Sequence, residues 1–295
     1  MQAAGHASAM DDIARLLASL APRLRSTPPD SGLAFETVVP RPPGRIGAVD
    51  GSVAPVLEGQ GFVVSAVRAV AILVEDGRVS AVHGPRALLH VTAREIDADR
   101  RREEAEREAA GRLLSFLGPG DLLLLDGALA VPDGSHETLV QACQVRGIVV
   151  AAVCKSTSAL LDGAPLLPAA LAQGTRRRPG EAWYADVSHV LKEPGVRSFV
   201  ARLHAAARQA FRIDLPAAGV APDEALSRIA ATARDPGYPG YPWPLAQAHN
   251  RAAIPDSEAD DLAHAIRSRA LQDGIDAGTW DACFADPHAM LDAGR

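Results

Sequence analysis

The sequence predicts an α/β fold in which a mixed sheet, three antiparallel strands followed by parallel strands, is flanked by helices, with additional helices toward the C-terminus. A block rich in β-forming residues comes first, and helices with an apolar stripe then alternate with short, wholly apolar strands. Hydrophobic residues make up 47% of the 295 positions and charged residues 22%, which is the balance of an ordinary globular protein.

The first three predicted strands occupy residues 45–49, 61–74 and 79–82, and the sequence Glu-Asp-Gly-Arg between the last two predicts a hairpin turn. Upstream, apolar residues at helical spacing predict a helix over residues 11–24, and the Pro/Ser-rich stretch 26–43 is typical of a linker. We therefore expect an N-terminal helix and linker, residues 1–44, followed by one domain over residues 45–295.

Two helices and two apolar strands follow. Helices are predicted over residues 97–117 and 135–145, the second with Ser135 as its N-cap. Strands are predicted over residues 122–125 and 147–153. Three strands, a helix, a strand, a helix and a strand is the order of an RNase H-like core, in which the first and fourth strands lie side by side. The last two strands are joined through a helix, which favours a parallel pair.

The remaining segment is predicted to be mainly helical. Apolar spacing predicts helices, and clusters of arginine or of Gly, Tyr and Pro predict loops. The helices are expected over residues 196–211, 222–233, 245–253 and 256–272, and the loops over residues 176–179 and 237–244.

Charge and cysteine usage exclude several classes of protein. A formal net charge of -6 excludes binding of nucleic acid through bulk positive charge, but not through locally placed cations. The three cysteines, Cys143, Cys154 and Cys283, do not have the spacing of a zinc site, and they fit a reducing, cytoplasmic compartment. We expect no signal peptide and no membrane span, because the N-terminus lacks a basic start with an apolar stretch and no run of 18 apolar residues occurs.

Two aspartates are each predicted to lie where an apolar strand stops. Asp50 follows residues 46–49 and Asp126 follows residues 122–125, and a glycine comes after each. Adjacent first and fourth strands would bring both carboxylates together, where they would repel unless a cation lay between them. A two-metal site for phosphodiester cleavage, with ions roughly 3.5–4 Å apart, is the usual chemical reason for such a cluster. The alternative is that each Asp-Gly pair only makes a turn.

A third carboxylate is expected from the helix over residues 97–117. Extending its apolar stripe backward by turns of three to four residues reaches Glu106 and then Glu103, and we choose Glu106 as the inward-facing metal ligand. The alternative is a solvated charged face beside nearby arginines. The glutamates among which the sequence does not decide are Glu103, Glu104, Glu106 and Glu108.

Other candidate residues lie further along the chain. Lys155 follows an apolar strand, where it could hold a phosphate, orient water or simply reach solvent. The loop over residues 237–244 carries Tyr241 and Trp243, whose rings could stack on unpaired bases or pack on the core. His249 follows in the first turns of a helix, where it could ligate metal, act as a general acid or be structural.

Together these segments resemble the NurA nuclease family. The sequence IGAVDGS at residues 46–52 looks like its first motif, and LLLDGAL at residues 123–129 resembles its second aspartate motif, with Ala128 where serine is common. The sequence VCKS at residues 153–156 is similar to its lysine-bearing strand end. The segment 240–249 resembles its C-terminal tyrosine and histidine motif.

The resemblance implies a manganese- or magnesium-dependent DNA nuclease with single-strand endonuclease and 5′–3′ exonuclease activity. The family works as a homodimer with the hexameric HerA translocase in end resection during double-strand break repair. Carried over by position, the resemblance implies metal ligation by Asp50 and Asp126 and functional roles for Lys155, Tyr241 and His249. The full expected set has three parts: Asp50, Glu106, Asp126, Lys155, Tyr241 and His249 in catalysis; Asp50, Glu106, Asp126 and His249 on metal; Ser52, Lys155, Tyr241 and Trp243 on DNA.

Other functions remain as alternatives. The first is a catalytically inactive relative that clamps a DNA translocase. A phosphatase would usually carry a second aspartate two residues after Asp126, where Ala128 stands. An actin-like ATPase would need a glycine-rich loop after its first strand, whereas residues 53–56 read Val-Ala-Pro-Val.

Overall fold

The computed structural model of the chain describes residues 14, 15, 18, 32–84, 86–92, 95–129 and 136–284. Most of the helix predicted over residues 11–24, the first part of the predicted linker and the predicted N-cap Ser135 lie outside the described residues. Within the described residues, no helix combines the length and the apolar character needed to cross a bilayer.

From residue 32 onward, the described residues begin with five strands and end with four helices. The strands are β1 (Glu36–Thr37), β2 (Ile46–Gly59), β3 (Phe62–Glu75), β4 (Arg78–His83), β5 (Leu88–Thr92), β6 (Leu122–Asp126), β7 (Val149–Cys154), β8 (Leu160–Leu161), β9 (Ala164–Pro165), β10 (Trp183–Asp186), β11 (Val196–Arg202) and β12 (Phe211–Pro216). The helices are α1 (Glu95–Leu113), α2 (Glu137–Val145), α3 (Leu166–Arg177), α4 (Ser188–Leu191), α5 (Pro222–Thr232), α6 (Trp243–Ala252), α7 (Asp256–Gln272) and α8 (Ala277–Phe284).

The chain divides into two compact units. The first unit comprises Met1–Pro42, Gly127–Gly134 and Ala151–Trp243, and the second comprises Pro43–Asp126, Ser135–Val150 and Pro244–Arg295. Strand β7 begins in the second unit and ends in the first. The second unit contains both antiparallel and parallel strand pairs, and the strand pairs described in the first unit are antiparallel.

The second unit contains the predicted antiparallel block. β2 pairs with β3, and β4 and β5 both pair with β3, all antiparallel. β6 pairs with β2 in parallel, from Ile46↔Leu122 to Val49↔Leu125, which confirms the predicted adjacency of the first and fourth strands of an RNase H-like core. β5 was not predicted. Helix α1 packs on β2 and β3 through the predicted apolar stripe, in which Ala110 and Leu113 are fully buried.

One predicted strand end is wrong. β2 does not stop before Asp50 but continues to Gly59, because its antiparallel pairing with β3 continues as far as Gly59↔Phe62. The parallel pairing with β6 does end at Val49↔Leu125. Asp50 therefore lies inside a long strand, at the point where one of its two neighbouring strands stops.

The first unit is an antiparallel arrangement in the order β1-β10-β11-β12-β7. Its core includes Trp183, which is fully buried and meets Phe35 edge to face with ring centroids 5.0 Å apart. The helix predicted over residues 196–211 is wrong, because this segment forms β11, a turn and the start of β12. Pairing of β11 with both β10 and β12 overrides the helical spacing of its apolar residues.

The arginine cluster after residue 175 was predicted to be an exposed loop; Arg176 and Arg177 are exposed, as predicted, but they are helical. The cluster ends helix α3. Arg177 donates to the carbonyl oxygen of Leu33, and Arg178 donates to that of Phe35 at 3.0 Å. The predicted helices over residues 222–233 and 256–272 are confirmed as α5 and α7, and α6 begins at Trp243, two residues before the predicted start.

Candidate active site

Asp50 is a buried carboxylate at the centre of the second unit's candidate site. The residue is 2% exposed, and its Oδ1 accepts the backbone N–H of Gly51 at 2.7 Å. Its Oδ2 lies 2.7 Å from Nδ1 of His249. Because a buried carboxylate needs polar or cationic partners, both contacts offset the cost of burying it.

Asp126 is the last residue of β6 and is partly buried. The last parallel register pair is Val49↔Leu125, so Asp50 and Asp126 are the next residues along two adjacent strands. Strand alternation places their side chains on the same face, with backbones about 4.8 Å apart. The strand register therefore places Asp50 and Asp126 beside each other.

Glu106 comes from α1 and lies against the backbone beside Asp50. A Cβ built on Gly51 would be 2.5 Å from Oε1 of Glu106, so the Glu106 carboxylate occupies the space that any larger residue at position 51 would need. The side chain of Glu106 is 12% exposed, and Arg102, one helical turn earlier, donates to its Oε1 at 2.5 Å. Glu106 thus faces inward, as its place on the extended apolar stripe predicts.

The three carboxylates influence one another electrostatically. The pKa of Glu106 is raised to about 7, mainly by burial; Arg102 opposes this shift, and the charges of Asp50 and Asp126 add smaller contributions to it. Near neutral pH the site therefore holds a carboxyl group that is reluctant to ionise next to two other acids. A cation bound beside these acids would offset their mutual repulsion.

His249 lies in the last turn of α6, later in the helix than the first turns in which it was predicted. Two side chains of the sheet hold the C-terminal end of this helix. Ser52 donates its hydroxyl to the carbonyl oxygen of Ala252 at 2.5 Å, and Arg68 donates to that of Ala253 at 2.9 Å. These bonds satisfy carbonyls that a helix end leaves without partners, and they fix His249 beside Asp50.

The donor set suits a hard divalent cation. Manganese binds carboxylate oxygens together with an imidazole nitrogen, whereas magnesium prefers oxygen ligands alone. Glu106 provides the structural indication, since it is an acid whose ionisation is opposed mainly by burial and, to a smaller extent, by Asp50 and Asp126. Among the described residues, however, no three His, Cys, Asp or Glu side chains already converge on one point that could hold an ion. The donors would have to close further around a cation to bind it.

The other candidate DNA-binding residues are placed as follows. Lys155 and Tyr241 lie in the first unit, with the ammonium group 5.4 Å from the centre of the Tyr241 ring. Tyr241 also packs against Phe211, with ring centroids 5.3 Å apart. Trp243 begins α6, and Ser52 is bonded to that helix.

The contacts of three residues in the second-unit site were not predicted from the sequence. Arg102 pairs with Glu106, Arg68 anchors α6, and Gly51 leaves room for the Glu106 carboxylate. The spacing of Arg102 and Glu106, four residues apart on a helix, is a signal that could have revealed the first pair. No local signal connects Arg68 with a helix 185 residues away.

Solved structures with a similar fold include nucleases. The NurA nuclease from Sulfolobus solfataricus aligns over 91% of this chain and 98% of its own, with a TM-score of 0.64 and 15% identity. A second NurA structure aligns over 88% and 97%, with a TM-score of 0.57 and 12% identity. NurA bound to dAMP and manganese aligns over 83% and 91%, with a TM-score of 0.51 and 11% identity. These likenesses establish the fold.

The search of curated proteins gave no significant match. The family model described as NurA domain, in contrast, matches residues 44–254. This span contains both aspartate strands, the Glu106 helix and the segment that carries Tyr241 and His249. With its matching fold, this chain is a member of the NurA domain family.

Proposed function

We propose that the protein is a divalent-metal-dependent deoxyribonuclease whose catalytic centre is formed by Asp50, Glu106, Asp126 and His249. The observation that carries the proposal is a placement of acids: Asp50 and Asp126 are the next residues along two adjacent strands, and the carboxylate of Glu106 lies against Gly51. Three mutually repelling acids from a strand, a helix and a second strand are costly without a cation. Family membership and the manganese in a NurA structure of similar fold support the same conclusion.

The proposed division of roles follows from the contacts. Asp50, Glu106, Asp126 and His249 would hold manganese or magnesium, which supplies activation of water and stabilisation of the leaving oxygen. Asp50 orients the imidazole of His249 through Nδ1, which leaves Nε2 for a ligand or a proton. Ser52 fixes the helix that carries His249 and, with Lys155, Tyr241 and Trp243, is proposed to contact DNA.

The proposed cleavage mode, biological role and partners are supported by membership of the family. We propose single-strand endonuclease and 5′–3′ exonuclease activity in DNA end resection during double-strand break repair. The proposed partners are a HerA-like hexameric ATPase and a second copy of the chain. Membership of the NurA domain family supports these assignments.

A second candidate function is a catalytically inactive clamp of a DNA translocase. Two observations favour it: Glu106 is already paired with Arg102, and no three ligand side chains of the described residues converge on one point. A clamp of this kind would lack tight manganese binding. Calorimetric titration of manganese into the metal-free protein therefore separates the two functions.

The deciding experiment is a cleavage assay on end-labelled single-stranded DNA with manganese, magnesium or EDTA. We expect cleavage with metal and none with EDTA, and we expect Asp50→Asn and Asp126→Asn to lose it. Asp76→Asn is the matched control, because Asp76 occupies the exposed β3–β4 turn with φ 50°, a conformation that asparagine tolerates well. Wild-type cleavage by either site variant would refute the metal-site assignment.

A further inference from the structure

The first unit contains a cavity of about 440 Å³ that lies beside Lys155 and Tyr241. Its other lining side chains include Arg208, Gln209, Phe211 and Tyr238. A cavity of this size is at the lower end of the range that holds small ligands, which is sufficient for one nucleotide.

The cavity is built by a turn and a loop that pack tightly together. Arg202 donates through Nε to the carbonyl oxygen of Ala207 at 3.0 Å, which fixes the turn between β11 and β12. Gly240 packs on Ala207 so closely that a Cβ there would overlap the Ala207 side chain, and its φ of +89° favours glycine. Tyr238 and Tyr241, on either side of Gly240, are linked by a backbone bond of 3.0 Å.

The lining combines cations with aromatic rings. Lys155 and Arg208 provide positive charge, and no carboxylate is among the described residues that line the cavity. Phe211 is buried and supports the ring of Tyr241, whereas Tyr238 is 36% exposed. Gln209 adds an amide that can both donate and accept hydrogen bonds. A site with this composition suits a ligand that has an anionic group and a flat aromatic ring.

We infer that this cavity binds one unpaired nucleotide of a DNA strand, with the base against Tyr238 and the phosphate held by Arg208 together with Lys155. Aromatic stacking accepts any base, because every base presents a π-face, and it requires that the base be unpaired. Tyr238 thereby becomes a determinant of the preference for single strands, and Arg208 contributes affinity through the phosphate. The inference rests on the proposed function for its ligand, but it concerns binding and not cleavage.

The test is equilibrium binding of a fluorescein-labelled oligothymidylate in EDTA, measured by anisotropy at several salt concentrations. We expect Arg208→Ala to weaken binding and to reduce the salt slope of log Kobs by about 0.7, the value for one phosphate contact with a single strand. We expect Tyr238→Ala to weaken binding about tenfold without changing the slope. Tyr238→Phe keeps the ring and should bind within about twofold of the wild type.

Arg176→Ala is the matched control for the loss of a cation. Arg176 lies at the exposed end of α3 in the same unit and does not line the cavity, so its loss should leave affinity nearly unchanged. A blunt duplex of the same length should bind more weakly and be insensitive to Tyr238→Ala. The melting temperature of each variant checks that it is folded.

Each outcome bears on the inference. Wild-type affinity of both Arg208→Ala and Tyr238→Ala would overturn it, as would an Arg176→Ala effect equal to that of Arg208→Ala. Competition by dTMP tests whether the cavity binds a single nucleotide or needs a longer strand. We expect dTMP to displace the labelled oligothymidylate. If the wild-type protein binds as described but never cleaves DNA, the proposed nuclease function fails while the nucleotide site stands.

Discussion

The Nδ1 atom of His249 lies 2.7 Å from Oδ2 of Asp50, although the two residues are 199 positions apart in the chain. Asp50 is buried, whereas the imidazole of His249 is 54% exposed. The aspartate can therefore hold the ring in one orientation while the opposite nitrogen faces outward. This pair connects the β2 strand with helix α6.

The first prediction concerns this pair. His249→Ala should lower the rate of metal-dependent cleavage by about 10- to 100-fold, which is the usual effect of losing a metal ligand or its positioning partner. Binding of single-stranded DNA in EDTA should change less than cleavage, because the imidazole is not placed among the proposed base contacts. His264→Ala, at an exposed position on α7, is the control. Equal losses of binding and cleavage would contradict the assignment.

The second prediction concerns Glu106 in metal-free protein. Its pKa rises from 4.5 to about 7 on folding, mainly because of burial. The folded state therefore favours the protonated acid, and the contribution of Glu106 to the free energy of unfolding should fall as pH increases from about 4 to 8. Glu106→Gln removes this dependence, so its stability relative to the wild type should rise over that range by on the order of 3 kcal/mol.

Urea unfolding in EDTA at several pH values measures this difference. Glu108→Gln is the matched control, because Glu108 lies on the same helix with its side chain 75% exposed. An equal effect of both substitutions would show that burial of Glu106 is not its cause. If the difference in free energy of unfolding between Glu106→Gln and the wild type did not change with pH, folding would not raise the pKa of Glu106. Added manganese should increase the free energy of unfolding of the wild type at neutral pH. It should not increase that of Glu106→Gln, which lacks one of the proposed ligands.

The third prediction concerns the space beside Asp50. Gly51→Ala would place a Cβ 2.5 Å from Oε1 of Glu106 and 2.9 Å from Cγ of Arg102, so the glutamate has to move. We expect manganese affinity and cleavage to fall by about tenfold or more, because a displaced ligand weakens the site. Gly111→Ala is the control on α1, where the new methyl group meets nothing within 4 Å. It should stabilise the helix by about 0.5–1 kcal/mol and leave metal affinity unchanged.

Much of the second unit could be predicted from sequence because its signals are local and consistent. The apolar strands before Asp50 and Asp126 fix the parallel pair, and the stripe on α1 selects Glu106 as the inward acid. The pairing of Asp50 with His249 could be expected only through the family resemblance. No spacing rule connects side chains so far apart in the chain.

The first unit was predicted less well for a physical reason. Residues 203–210 contain four alanines and neither glycine nor proline, so the turn between β11 and β12 looks like helix. Strand pairing on both sides of β11 decides the outcome instead. Hydrogen bonding between strands that are distant in the chain cannot be predicted from a short segment of sequence.

The fourth prediction concerns a buried ion pair in this unit. Asp214 is fully buried, and Arg212 donates to it through Nε at 2.8 Å and through Nη2 at 2.7 Å. Ser198 and the backbone N–H of Leu129 donate to the same carboxylate. Burial by itself lowers the pKa of Arg212, but the bonds and charge of Asp214 outweigh it and raise the pKa overall.

Replacing Asp214 with alanine would leave a buried guanidinium and several donors without their acceptor. The free energy of unfolding should therefore fall by about 3–5 kcal/mol, as for other buried pairs that lose one member. Asp186→Ala is the control, since Asp186 and Arg197 form an ion pair with both side chains more than 40% exposed, and its loss should cost less than about 1 kcal/mol. Chemical denaturation in EDTA measures both. Equal losses would mean that the network around Asp214 is not what holds β12 to β11 and to residues 127–129.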